Sequence, residues 1–185
     1  MTEKLNLDSN INAPKLYLDG DLYPLSWNSH NLPATESPDV SGLPSFDYVL
    51  YLFNIVKYRL GITYRLLDDG VFVCHLQDFY GSQAGNKVIK SRFWFVQYLL
   101  VLALGTAFLA RPRKQACPPG SKFFTRAMAA MPSYTSTGKD TLLAIETLGL
   151  AGVYLYAVDH RESAHVHVSK HRLSIGYTLL TRYLK

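Results

Sequence analysis

From Phe46 onward, apolar residues recur at helical spacing, and the polar positions between them divide the chain into about six helices. In SFDYVLYLFNIVKYRL, Phe46, Val49, Leu50, Phe53, Val56 and Leu60 fall on one side, which is the period of an amphipathic helix. Ser45 is placed to cap it, Asp47 lies in its first turn, and Gly61 ends it. Asp68 or Asp69 is expected to cap a short second helix, with Phe72, Val73, Leu76 and Phe79 turned inward. Residues 81–86 read as a loop by composition. The stretch 93–110, FWFVQYLLVLALGTAFLA, has no polar face, and Gln97 is its only strongly polar side chain. It starts near Ser91 and stops at Arg111-Pro112, because proline disfavours helix at the residue before it. Ser121 is expected to cap KFFTRAMAAM, with Phe124, Ala127, Met128 and Met131 on one side. Met131-Pro132 closes that helix, and SYTSTGKD follows as a polar connection. A fifth helix over 141–158 is again apolar nearly throughout, and Gly149 and Gly152 would let another helix come close. The last segment, 161–185, is amphipathic and basic: Ala164, Val168, Ile175 and Leu179 share a face, while Lys170, Arg172 and Arg182 stay in water. No alternating strand pattern competes. The expected fold class is all-α, a multi-helix, bundle-like domain.

Residues 1–44 differ in character. Pro14, Pro24, Pro33, Pro38 and Pro44 stand among Asn, Ser and Asp, and such proline spacing excludes a regular helix. An irregular arm over 1–44 therefore precedes a helical domain over 45–185, with scattered Leu and Tyr residues and Trp27 available as anchors. The 185 residues are enough to bury a core, and 48% of them are hydrophobic, as in an ordinary globular chain. Residues 1–12 are polar and of mixed charge, so no secretory signal is read there. Cys74 and Cys117 are too few for a disulfide framework or a multi-cysteine zinc site. They read as a core thiol and a loop thiol.

The stretch 93–110 has two readings. As a helix it would be roughly 27 Å long, close to what a bilayer span needs. Basic residues flank it on both sides, Lys90 and Arg92 before, Arg111, Arg113 and Lys114 after, so charge assigns no orientation. A helix apolar all round also stands at the centre of a helical domain, and that reading is preferred here. The net charge of +5 is spread over 87–92, 111–114 and the last segment. A solvated face explains it more simply than direct DNA contact, and no aromatic-and-basic platform for single strands is present.

The motifs that carry chemistry are sparse. Ser136-Thr-Gly138-Lys139-Asp140-Thr141 shares the end of a phosphate-binding loop, but it lacks the earlier glycine, the hydroxyl residue directly after Lys139 and a preceding strand. His160, His165, His167 and His171 cluster in sequence, and the i, i+4 spacing of His167 and His171 suits a metal pair. A third ligand would have to be His160 or an acid from elsewhere, and the simpler reading is partly exposed histidines on a basic helix face. Glu146 stands alone in an apolar helix. Burial would raise its pKa, yet no second acid sits at useful spacing, and a structural salt bridge or simple exposure is expected. Asp68-Asp69 is a helix cap. No catalytic, cofactor-binding or metal-ligating residue is assigned, and no enzyme activity is expected.

Four segments, in order, resemble the middle homology (regulatory) region of fungal zinc binuclear cluster transcription factors. FDYVLYLFNIVKYRLG with TYRLLDDGVFVCHLQDFYG looks like the family's opening helices. SRFWFVQYLLVLALGTAFLA is similar to its L-x-x-x-L-A-x-G helix, with Leu99, Ala103 and Gly105 in place. PPGSKFFTRAMAAMP resembles its short helix ending in proline. Residues 142–164, continuing into HVHV, resemble the family's following helix pair. His165, His167, Ser169 and His171 depart from the residues preferred there. The resemblance implies a partial, N-terminal half of a nuclear regulator of RNA polymerase II transcription, acting through co-regulator proteins, the transcription machinery or an effector, with homodimerisation among its contacts. Zinc and DNA binding are implied only for the full-length family, through a six-cysteine cluster that has no trace in this sequence. Lacking the family's later helices, the isolated chain is expected to be unstable, to dimerise, or to come from a truncated or mis-predicted gene. The alternative is a small membrane-associated protein that uses 93–110 as a span.

Overall fold

In the computed structural model, which describes residues 25–27, 38–61, 66–81, 92–110, 117–132 and 141–169, the helix built from the apolar stretch is the axis of the molecule. The elements are α1 (Phe46–Leu60), α2 (Asp69–Gly81), α3 (Arg92–Leu109), α4 (Ser121–Ala130), α5 (Thr141–Ala157) and α6, residues 161–169. No strand occurs among the described residues. The fold is all-α and bundle-like. α1, α4 and α5 pack round α3, and α2 packs on α1.

Every residue from Phe93 to Gly105 is buried, which explains why this helix has no polar stripe: it has no solvent face over that length. Each fully buried large apolar side chain contributes about 1.5–3 kcal/mol, so α3 is the main source of cohesion. Among the described residues one helix, Arg92–Leu109, is long and apolar enough to cross a membrane by length and composition, and 72% of it is buried inside the fold.

Two glycines let neighbours reach α3. A Cβ on Gly105 would lie 2.8 Å from the Cβ of Leu52, so α1 crosses α3 closer than any side chain would permit. Gly120 has φ 77° and its backbone rests on Ala103, so that a Cβ there would collide with the Ala103 carbonyl oxygen. The turn that enters α4 is thus fitted to the middle of α3. Pro119 in the same turn accepts a hydrogen bond from the Tyr154 hydroxyl at 2.9 Å, which ties it to α5 as well.

Helix ends follow local chemistry, with three departures from expectation. Asp68 caps α2, its Oδ1 accepting the Val71 N–H at 3.0 Å. Ser45 occupies the N-cap of α1 with extended backbone, but its side chain makes no capping bond. Gly61 ends α1 in a right-handed conformation, so no left-handed turn is needed there. Gly120, rather than Ser121, is the N-cap of α4, because the entry turn needs a left-handed residue. α5 closes in a Schellman arrangement. The Asp159 N–H reaches Tyr156 O at 3.2 Å, the His160 N–H reaches Leu155 O at 2.9 Å, and Asp159 carries φ 64°, the geometry that satisfies terminal carbonyls. The His160 carbonyl then accepts the Ala164 N–H at 2.9 Å and opens α6.

Described parts of the N-terminal arm dock on this frame. Trp27 meets Phe124 edge to face at 5.3 Å. Arg126 Nη1 donates to Ser41 O at 2.8 Å, and Nη2 donates to the Asp39 carbonyl oxygen. The Tyr80 hydroxyl donates to Pro44 O at 2.6 Å, leaving the Tyr98 hydroxyl as donor to Tyr80 Oη at 2.9 Å.

Candidate functional site

The two most apolar helices, α3 and α5, each carry one polar residue out of place, and the fold brings the two together. Gln97 is 3% exposed, and its Nε2 donates to Glu146 Oε2 at 2.8 Å. A buried polar pair in such surroundings costs free energy unless it is hydrogen-bonded, which explains why Gln97 turns towards the carboxylate. The expected salt bridge of Glu146 is replaced by this neutral partner.

Glu146 also faces open space. A cleft of about 780 Å³ lies between α1, the turn at residues 66–70 and α5, with Glu146 on one wall. Phe53, Val56, Leu67 and Leu150 provide apolar lining, and Lys57, Asp68 and Asp69 stand around it. Lys57 Nζ is already matched by Asp69 Oδ2 at 2.6 Å. Desolvation pushes the Glu146 carboxyl above its ordinary value; the Gln97 hydrogen bond opposes this, and the nearby Asp68 charge adds to it. A cleft of this size, with apolar walls and one perturbed carboxyl group, has the form of a small-molecule site.

The raised value has a stability consequence with a definite sign. The folded state holds the Glu146 proton more tightly than the unfolded chain does, so stability from this group falls as pH rises from about the ordinary value of 4.5 and through the raised one. Among the described residues, Asp68, Asp69 and Lys57 are the charged groups that share the cleft. Glu146→Gln, which keeps an acceptor for Gln97, is expected to raise Tm at pH 7 and to give no gain below pH 4.5. Calorimetry at the two pH values checks this. A stabilisation equal at both would mean that the carboxyl charge is not its source.

The described histidines do not assemble into a metal site. His160 and His167 are buried, and His165 is exposed; His171 lies outside the described residues. His167 Nδ1 lies 3.0 Å from Ser163 O, and its ring stands 6.2 Å from that of Trp27. The inward face of α6 therefore carries Ala164 and His167, with His160 just before the helix, while Val168 is 44% exposed and reaches α5 through its Cγ2 at Gly152. No group of three or more His, Cys, Asp or Glu placed to hold a metal ion occurs among the described residues. Cys74, expected in the core, is exposed, as is Cys117. The 136–140 part of the segment resembling a phosphate loop, and the basic stretches 87–91 and 111–114, lie outside the described residues. The Gln97–Glu146 contact was missed at the sequence level, although each residue is the polar exception in its helix.

Family models, curated proteins and solved structures were all compared with the chain, and none matches it.

Proposed function

We propose that the chain is a helical regulatory module of the fungal zinc binuclear cluster regulator type, acting in the nucleus on RNA polymerase II transcription through contacts with other proteins. The observation that carries this reading is the ordered set of four sequence segments, ending in the helix pair over 142–164, that resembles that family's regulatory region. The segments lie in helices that share one core, with Gly105 and Gly120 at the closest approaches to α3 and its neighbours, an arrangement compatible with a scaffold. Large apolar side chains on the outside, Tyr51, Tyr58, Leu142 and Tyr156, are available for protein contacts. DNA and zinc belong to this reading only through the family's separate cluster domain.

The test is to tether the full chain to an unrelated DNA-binding domain upstream of a reporter gene. Reporter output is expected to change, and the effect is expected to vanish with Gly120→Ala, which disrupts the core. Unchanged output from a chain that accumulates in the nucleus would overturn the reading.

The second reading is a membrane-associated protein, favoured by the length and composition of Arg92–Leu109. The cover of Phe93–Gly105 by the chain's own helices supports the core role instead. Carbonate extraction is expected to release a tagged copy. Retention in the pellet together with solubility in detergent would favour the span.

A further inference from the structure

We propose that the cleft between α1, the 66–70 turn and α5 binds a small organic cation, a primary amine carrying an apolar body. This goes beyond the regulatory reading and rests on the cleft alone.

The cleft is large enough for such a molecule, about 780 Å³, within the range of small-ligand sites. Its lining combines two chemistries. Leu60, Leu66 and Leu67, each partly exposed, offer apolar surface, which suits a hydrocarbon body and disfavours a bare hydrated ion. Among the described residues the charged lining is unbalanced: three carboxylates, Asp68, Asp69 and Glu146, face one ammonium, Lys57. Lys57 is bound to Asp69, so Asp68 and Glu146 have no cation partner among the described residues. The chain as a whole carries +5, so this acidic lining runs against the overall balance. Glu146 lines the cleft while its Oε2 is anchored by the buried Gln97. An ammonium group entering here would donate to Glu146 and neutralise the repulsion between it and Asp68, while the apolar body covers Leu66 and Leu67. A partly desolvated carboxylate makes such a charge-assisted bond stronger than it would be in water.

The test is isothermal titration of the full chain with 2-phenylethylammonium chloride, 2-phenylethanol and calcium chloride, each alone. Saturable binding of the amine is expected. The neutral alcohol, whose hydroxyl can still donate to Glu146 but which carries no charge, is expected to bind more weakly by about tenfold or more. Glu146→Gln should weaken the amine by a similar factor while folding at least as stably. Asn54→Trp, which fills the cleft from an exposed position on α1 without removing a carboxylate, should weaken it too. The proposal is overturned by an amine that does not bind, by an alcohol that binds as well, or by variants that leave amine affinity unchanged. Calcium that binds alone and displaces the amine would replace it with a divalent-cation site. None of these results bears on the reporter assay, so the two readings fail separately.

Discussion

Gly120→Ala is expected to destabilise the chain by about 2–6 kcal/mol, the sum of two costs of about 1–3 kcal/mol each, backbone strain and overpacking. The first arises because Gly120 has φ 77°, a region that a side chain rarely tolerates. The second arises because the new methyl would enter the backbone of Ala103 in the buried middle of α3, 2.9 Å from its Cα even before the carbonyl is considered. The other side is backbone, not the flexible end of a side chain, so α4 and its entry turn must move away from α3 as a unit. Gly42 separates the two costs. It has φ 63° with nothing within 4 Å, so Gly42→Ala should cost only about 1–2 kcal/mol, the left-handed penalty. Urea unfolding should give a lower midpoint for both with an unchanged slope. Equal losses for the two variants would show that the contact with Ala103 contributes nothing.

Phe124→Ala is expected to cost about 3–5 kcal/mol, the range for removing a buried phenylalanine. Phe124 is fully buried. Its ring stacks on Tyr154 at 4.5 Å and receives the edge of Trp27 at 5.3 Å. One side chain therefore joins α4, α5 and the N-terminal arm. Beyond the loss of stability, the change should loosen the arm while the helices remain. In a Trp94→Phe background Trp27 is the remaining one of the chain's two tryptophans, and its emission should shift to the red under native conditions when Phe124 is truncated. An unshifted emission would show that Trp27 is held by other contacts.

Much of the helical layout was legible from periodicity. α1 and α4 turn inward along the faces their apolar spacing predicts, and the lack of any polar stripe over 93–110 announced a helix covered on all sides. The helix entrances were harder. Ser121 has the better side chain for a cap, but the turn after Pro119 must pass over Ala103, and only Gly120 fits that geometry. The inward face of α6 was legible at Ala164, which is buried, but not at His167, and the reason is tertiary. Gly152 lets α6 approach α5, with Val168 Cγ2 3.0 Å from where its Cβ would be, and Trp27 covers His167 from a segment with no periodic pattern of its own. The cleft could not be read at all. Gln97 and Glu146 are 49 positions apart, and no local spacing relates them. The available signal was weaker: two strongly apolar helices, each with one polar residue that local structure does not require.

The encased position of α3 also sets an order of events during synthesis. α1 is already made when α3 leaves the ribosome, but α4 and α5 are not, and the last of these covers ends only at Ala157. At about 5–20 residues per second, the roughly fifty intervening residues take ~2–10 s. Throughout that interval a nascent helix with the length and composition of a membrane span stands half-clothed in the cytosol. The translation rate over 110–157 and the supply of chaperones that shelter apolar segments therefore govern the yield of folded chain. Slow codons in that interval would lower the yield without altering a single residue of the product.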